Sequence, residues 1–195
     1  MARPDRSAER RRELLPVLAA TFAEHGYRRT TTAELARDCG VQETILYRLW
    51  SDKKAMFLEA IEHVFTASSE AWAGLLGDDA AGAAGRLLDY EAGHHGERHL
   101  YRIVFAGLSE TDDPDVRAAL RRMYKSFHRF VRARLAEHVP TRRGTQSSDP
   151  SQVAWALIGL GTMANVGREL GVLDSRARKR LFSELGRTLL DLGAG

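Results

Sequence analysis

The chain has little of what disulfide-linked or membrane-spanning proteins require. Its 195 residues include a single cysteine, Cys39, which excludes a disulfide within the chain and suits a reducing compartment. The longest uncharged stretch, Pro150 to Gly167, contains Gln152, Thr162 and Asn165, and therefore predicts a buried helix rather than a membrane span. The opening residues are too polar for a signal peptide, so we expect a cytoplasmic protein with no membrane partner.

Signals for β-strands are also scarce. The sequence has no sustained alternating run of Val, Ile and Thr and no Asn-Gly or Asp-Gly turn, whereas apolar residues recur throughout at three- and four-residue spacing. This pattern predicts an all-α fold. We expect a three-helix N-terminal domain over residues 1–54, a connecting helix over about 52–75, and a larger helical body over residues 55–195.

The net positive charge is confined to the first quarter of the chain. Residues 1–54 hold 11 Lys+Arg and 8 Asp+Glu, out of totals of 29 and 26, so the remaining residues hold 18 of each. A small basic domain on a neutral body suggests a polyanionic partner for that domain. A net charge of +3 is nevertheless small, and it is equally consistent with a solvated surface.

Local signals mark most of the helix ends. Thr31 with Glu34 forms a capping box, Gly40 ends that helix, a second short helix follows over Gln42–Trp50, and Asp52 caps the next. Asp113-Pro114 and Asp149-Pro150 are typical helix starts, and the last two helices are expected over about 150–170 and 175–192. Pro16 either kinks the first helix or starts it. The glycine-rich Gly74–Gly85 and the polar Pro140–Pro150 are expected to be connections.

Two short helices joined by a turn that contains glycine are typical of a helix-turn-helix. The N-terminal side chains of the second helix would then reach base edges in the major groove of double-stranded DNA, with longer side chains on the phosphates. The predicted DNA-binding residues are Thr31, Gln42, Glu43, Thr44, Tyr47, Arg48 and Lys53. An arginine-rich arm (Arg3, Arg6, Arg10, Arg11 and Arg12) could follow the DNA backbone or simply be disordered. Trp50 and Tyr27 are interpreted as packing residues.

The segment from Leu18 to Ile61 resembles the N-terminal domain of the tetracycline-repressor (TetR) family of bacterial transcription regulators. The similarity lies in Phe22 to Tyr27, Thr30-Thr31, Leu35-Ala36, Gly40-Val41, Leu46-Tyr47, Trp50 and Lys53. It implies that Thr31, Thr44, Tyr47, Arg48 and Lys53 contact DNA. The family usually has Ser where this chain has Gln42, Gly or Ala at Thr44 and Thr at Ile45, which predicts a weaker helix cap and a different base-reading face.

The same resemblance implies a ligand-responsive regulator, most often a repressor, whose body binds a small, largely apolar effector and forms a homodimer on a near-palindromic operator. The wide apolar faces of the last two helices independently favour dimerisation. The predicted dimer interface is Leu157, Leu160, Leu181, Leu185 and Leu189. The predicted pocket residues are Trp72, Tyr90, His94, Tyr101, Phe105, Met123, Phe127, Trp155 and Met163, each of which could equally be ordinary core.

Other functions find less support in the sequence. Glu91, His95 and His99 are spaced by four, but Gly93 and Gly96 interrupt the helix that would align them as metal ligands. We find neither a nucleophile elbow nor a phosphate-binding glycine loop. We therefore predict no catalytic residues, no metal and no cofactor. The alternatives are a helical enzyme or metal-binding protein whose basic N-terminal domain serves another role, or a dimeric interaction module.

Overall fold

The regular structure of the described residues is entirely helical, which confirms the all-α prediction. The computed structural model describes residues 6–76, 80–96, 100–138 and 148–193. Within these ranges the chain forms ten α-helices and one π-helical segment. They are α1 (Arg6–His25), α2 (Thr32–Asp38), α3 (Glu43–Leu49), α4 (Lys53–Leu76), α5 (Ala80–His94), α6 (Tyr101–Leu108), α7 (Pro114–Glu137), α8 (Pro150–Glu169), α9 (Ser175–Arg180), the π-helical segment (Leu181–Gly186) and α10 (Arg187–Gly193).

The predicted helix starts are confirmed by side-chain caps. The Asp52 carboxylate accepts from the Ala55 N–H at 2.7 Å at the start of α4. Asp113 accepts from the Asp115 N–H at 2.8 Å at the start of α7. Asp149 accepts from the Ser151 N–H at 2.9 Å at the start of α8. Each cap satisfies a backbone donor that the first helical turn leaves unpaired.

The structure corrects two expectations about local structure and decides between the two alternatives for Pro16. The glycine-rich Gly74–Gly85 is not one connection, because α4 continues to Leu76 and α5 begins at Ala80. Pro16 lies inside α1 and does not start it. The last helix, expected to be continuous, contains the π-helical segment, where a Cβ on Gly186 would lie 2.6 Å from Leu88 Cδ1. Residues 140–147 of the expected Pro140–Pro150 loop lie outside the described residues.

Contacts divide the chain into two compact units. The first unit comprises Met1–Ala67 and Arg98–Met123, so it includes α6, which packs against α1. Its core contains an aromatic cluster in which the Phe22 and Phe57 rings meet edge to face at 5.0 Å and the Tyr27 and Phe57 rings lie 4.8 Å apart. Fully burying side chains of this size stabilises the fold by about 1.5–3 kcal/mol each.

The second unit comprises Ser68–Glu97 and Tyr124–Gly195. Its core is formed by α5, α7, α8 and the C-terminal segments, with Ala84, Leu88, Leu135, Val153, Ala154, Leu160, Ala164, Phe182 and Leu190. In the described part of the chain, no helix combines the length and the hydropathy that crossing a membrane requires.

Candidate nucleic-acid interface

The entry into the helix-turn-helix is fixed by the predicted capping box. The Thr31 hydroxyl oxygen accepts from the Glu34 N–H at 3.2 Å, and the Glu34 carboxylate accepts from the Thr31 N–H at 2.8 Å. The hydroxyl also donates to that carboxylate at 2.9 Å. The backbone and hydroxyl hydrogen bonds from Thr31 hold the pKa of Glu34 below its usual value. Thr31 therefore has a structural role before any contact with DNA.

The turn between α2 and α3 depends on one backbone conformation. Gly40 has φ of +63°, a region that L-residues with a side chain rarely adopt, and its position there lets the Val41 N–H reach the Ala36 carbonyl at 2.9 Å. Leu46, Leu49 and Trp50 are buried beneath α3, so one face of this helix is fixed and the opposite face points outward.

The outward face of α3 carries most of the predicted DNA contacts. Within the described residues, we find no hydrogen bond or ion pair from the side chains of Gln42, Glu43, Thr44 or Arg48, and all four are exposed. Gln42 makes no side-chain cap on α3, as the departure from Ser predicts. These groups are available for base edges and phosphates, because no intramolecular bond must be broken first.

Tyr47 is held in position on this face. Its ring is 49% exposed, and its hydroxyl donates to Thr32 Oγ1 at 3.2 Å. The bond links the middle of α3 to the first turn of α2. The sequence did not identify Thr32, because a pair separated by 15 residues leaves no local pattern.

The Lys53 ammonium makes contacts within the protein that the sequence analysis did not predict. Its ammonium donates to the Tyr27 carbonyl at 3.0 Å and the Thr30 carbonyl at 2.9 Å, and it lies 4.5 Å from the centre of the Tyr27 ring. It therefore ties the segment before α2 to the start of α4. An ammonium group has three donors, so two are already in use and Lys53 is a positioning residue first. Any phosphate contact of Lys53 remains a prediction.

The arginine-rich arm is helical from Arg6 onward, because α1 begins there; Arg3 lies outside the described residues. Arg11 lies 5.9 Å from the Trp50 ring centre, and Arg10 bonds to Glu13 at 2.6 Å. Trp50 is 4% exposed and donates its indole N–H to Glu59, which confirms its packing role.

Cys39 is partly buried, and this burial raises the pKa of its thiol to about 11, so the thiolate is scarce.

Two groups of ion pairs in the first unit could not be predicted from the sequence. Arg28 bonds to Glu110 at 2.8 Å across 82 residues, and Lys54 bonds to Asp115 at 2.7 Å and Asp113 at 3.1 Å. The hydrogen bonds that the Lys54 ammonium donates to the Asp115 and Asp113 carboxylates raise the pKa of Lys54. These pairs connect the segment before α2 and the start of α4 to the turn between α6 and α7 and to the first turn of α7. The exposure of these groups keeps each pair weak.

Comparison with known proteins agrees with this geometry. Residues 14–60 match the profile described as "Bacterial regulatory proteins, tetR family". This part of the chain therefore carries the sequence pattern of the tetR family. It is also 46% identical over 57 residues to the nucleoid occlusion factor SlmA of Haemophilus influenzae, an alignment that covers 29% of this chain and only 26% of SlmA.

The likeness in fold extends beyond residues 14–60. A Rhodococcus sp. protein assigned to the TetR-family transcriptional regulators superposes with a TM-score of 0.72 at 19% identity, over 92% of this chain and 97% of its own. A Saccharomonospora viridis protein solved in complex with choline has a TM-score of 0.71 at 18% identity, over 92% and 94% of the two chains. Identities this low establish a common fold and nothing finer.

The predicted pocket residues are distributed over both units. Tyr101, Phe105 and Met123 belong to the first unit, where Tyr101 and Met123 are buried. Trp155 and Met163 are about half exposed, so their place in a pocket stays a prediction. The structure does bring together the rings of Trp72 and Phe127, with centres 6.0 Å apart, and the rings of Tyr90 and His94, with centres 4.4 Å apart.

Tyr124 was not predicted as a pocket residue. Its burial raises the pKa of its hydroxyl, and a hydrogen bond with Thr162 opposes that shift.

The five leucines predicted for the dimer interface differ in how far they are exposed. Leu160 is 8% exposed and belongs to the core of the second unit, while the partly buried Leu157, Leu181 and Leu189 pack against that core. Leu185 alone of the five is exposed. Sequence reasoning did not identify a larger set of exposed apolar side chains in α8 and just after it. Helical periodicity does not show which apolar face of a helix the fold covers. The set is Trp155, Met163, Leu170 and Val172.

Two residues of the histidine-rich segment form a pair. His95 Nδ1 is bonded to the Glu91 carboxylate, whereas His99 lies outside the described residues. No cluster of three or more His, Cys, Asp or Glu side chains suited to a metal occurs among the residues that the structure describes.

Proposed function

We propose that this protein is a homodimeric transcription regulator that binds double-stranded DNA through α3, acts in the cytoplasm and loses DNA affinity when a small molecule binds the second unit. The observation that carries the proposal is the exposed, unpartnered face of α3 on a helix-turn-helix held by caps and a buried core. A helix presented in this way fits the major groove, and the adjoining cations suit the phosphates. Repression follows when the occupied operator blocks transcription.

Dimerisation would use the exposed apolar side chains of the second unit. Trp155, Met163 and Leu185 are each about half exposed, and water contact with such large apolar groups is unfavourable. Leu157, Leu160, Leu181 and Leu189 would support this surface from behind. A two-fold dimer presents two α3 helices, which matches a near-palindromic operator with half-sites about one DNA turn apart.

An effector would bind among the partly exposed aromatic side chains of the second unit, which include Trp72, Tyr90 and Phe127. The choline complex of the Saccharomonospora viridis protein supports a small-molecule ligand for this fold. Ligand binding that lowers DNA affinity implies that DNA lowers ligand affinity by the same factor.

DNA binding can be tested by fluorescence anisotropy with the DNA upstream of the gene. Tyr47→Ala and Arg48→Ala should each weaken binding by about 1–3 kcal/mol, because each removes one contact from the α3 face. The slope of log affinity against log salt should be about −0.9 for each phosphate contacted.

Arg129→Ala is the matched control for Arg48→Ala. Arg129 is also exposed, but it lies in the second unit, so the same loss of charge should leave DNA affinity unchanged. Equal binding by wild type and both α3 variants would refute the assignment of the interface.

The dimer can be tested by light scattering at micromolar concentration. Trp155→Asp places a charge in the proposed interface and should shift the protein towards monomer. Lys125→Asp changes an exposed residue of α7 and should leave the dimer intact. A monomeric wild type under these conditions contradicts the proposal.

A further inference from the structure

One cation of the first unit is held against an aromatic ring and makes no hydrogen bond within the fold. The guanidinium carbon of Arg11, in the second turn of α1, lies 5.9 Å from the centre of the Trp50 ring, near the outer limit of a cation–π contact. Its Nε is buried and has no acceptor. Among the residues that the structure describes, we find no hydrogen bond or ion pair from this side chain. A guanidinium has five N–H donors, and a ring face is at best a weak acceptor for them.

Two carboxylates of the first unit that adjoin Arg11 or its ring bond to other groups. Glu13 pairs with Arg10 at 2.6 Å. Glu59 accepts the indole N–H of Trp50 at 2.5 Å. The second bond fixes the orientation of the ring on which Arg11 rests and directs Glu59 to the indole. Arg11 therefore keeps donors that a ligand from outside the chain can use.

The unpaired N–H of Arg11 costs the fold free energy, because a buried donor without an acceptor loses its bond to water and gains none in return. An apolar side chain of similar length would cover the Trp50 ring without that cost. Packing against the ring therefore does not explain the arginine. A buried donor that the fold leaves unpaired is typical of a group whose acceptor arrives with a ligand.

Trp50 places this donor beside one end of the proposed reading helix. It follows Leu49, the last residue of α3, and its side chain is 4% exposed. A helix in the major groove passes between the phosphates of the two strands, so groups beside its ends face the DNA backbone rather than base edges. A phosphate oxygen accepts from a guanidinium, often through two N–H groups at once.

We propose that Arg11 binds one backbone phosphate at the edge of the groove that α3 occupies. This contact rests on the proposed function, because it belongs to the same interface with DNA. The sequence left open whether the arginine-rich arm follows the DNA. The geometry selects Arg11 from that arm, since Arg10 is already paired with Glu13. A phosphate carries no base information, so the contact adds the same affinity to every duplex.

Fluorescence anisotropy of the full-length protein with two duplexes of equal length, the upstream DNA and an unrelated sequence, tests the contact. Arg11→Met keeps an apolar stem against Trp50 and removes the charge. It should weaken binding of both duplexes by the same factor, about tenfold for each protomer bound. The slope of log affinity against log salt should become less steep by about 0.9 for each protomer. Unchanged affinity and slope, or a loss for the upstream DNA alone, would overturn the phosphate contact.

Arg10→Met is the matched control. It removes the same formal charge from the neighbouring position of α1, but Arg10 is exposed and paired with Glu13. It should therefore leave the salt slope unchanged and alter affinity little. An equal loss in Arg10→Met and Arg11→Met would indicate a general attraction between α1 and DNA, and would overturn a specific contact of Arg11.

Thermal unfolding separates binding from folding. Arg11→Met should unfold at the wild-type temperature or above it, because it removes an unpaired buried donor. A lower unfolding temperature would show that the fold itself uses the Arg11 charge, and would count against a group held for a ligand. Arg11→Lys keeps the charge and should keep the wild-type salt slope. A slope as shallow as that of Arg11→Met would overturn the contact even if Arg11→Met folds poorly.

Arg48→Ala in the same anisotropy experiment distinguishes the two proposals. If Arg48→Ala and Tyr47→Ala bind like wild type while Arg11→Met is weakened, the proposed role of α3 fails and the phosphate contact stands. If the α3 variants are weakened and Arg11→Met is not, the phosphate contact alone fails.

Discussion

The two units of this chain bury their large side chains to different degrees. Of the eleven largest fully buried side chains in the described ranges, ten belong to the first unit and only Leu135 belongs to the second. In the second unit, the large aromatic residues Trp72, Tyr90, Phe127 and Phe130 are partly exposed, and Trp155 is 47% exposed.

This contrast matches the tasks proposed for the two units. A surface that reads base edges must hold its side chains in fixed positions, and dense packing beneath α3 does so. A unit that binds a ligand and a second copy of the chain must instead leave aromatic and apolar surface available.

The largest expected effect is in the core of the first unit. Phe22→Ala should lower the free energy of unfolding by about 3–5 kcal/mol, because it leaves a cavity where the wild-type ring has no exposure. Phe130→Ala in the second unit should cost about 1–2 kcal/mol, because its ring is partly solvated before mutation. Urea denaturation followed by circular dichroism measures both, and equal losses would remove the contrast.

Cys39 reports on the packing of the first unit without any mutation. Its thiol pKa is raised to about 11 by burial, so at pH 8 the thiolate fraction is roughly a hundred times smaller than that of a free cysteine. Alkylation by iodoacetamide should be slower in the native protein by about that factor and should reach the free-cysteine rate in urea. Rapid native labelling would show that this region is open.

Lys53→Met tests the positioning role of the ammonium group. The variant keeps an apolar stem but leaves the Tyr27 and Thr30 carbonyls without their donor, and should destabilise the protein by about 1.5–3 kcal/mol. Lys54→Met is the control and should cost less, because its ion pairs are more exposed. Weaker DNA binding with unchanged stability would instead identify Lys53 as a phosphate contact only.

The smallest expected effect concerns the start of α3. Gln42→Ser supplies the missing N-cap and should stabilise the protein by about 0.5–1 kcal/mol in thermal denaturation. Thr31→Ala removes an existing cap and should destabilise it by about 0.5–2 kcal/mol. Because the pKa of Glu34 is lowered on folding, its contribution is present above its unfolded pKa and is lost as pH falls through the folded value. Thr31→Ala should therefore also reduce the sensitivity of stability to acid, and no change in either variant would mean that these caps are unimportant.

The buried and exposed faces of α3 could be predicted from the sequence, whereas the covered faces of the helices in the second unit could not. Helical periodicity predicts that Leu46 and Leu49 are buried and that Tyr47 and Arg48 are exposed. The buried and exposed faces of α3 agree with this expectation. Trp155 and Met163 obey the same periodicity, yet α8 is apolar on most of its surface. The pattern therefore could not show which of its faces the rest of the unit would cover.

By itself, the sequence determined the helical class and the helix starts at Thr31, Asp52, Asp113 and Asp149. Each of these signals acts between residues two or three positions apart, so no distant part of the fold can change it. Only the tertiary structure decided that Lys53 binds carbonyls 23 and 26 residues away, and that His95 spans from Glu91 to Gly161. A side chain with several possible partners bonds to those that the packed helices bring within hydrogen-bond distance. The residues next to it in the sequence do not determine which partners these are.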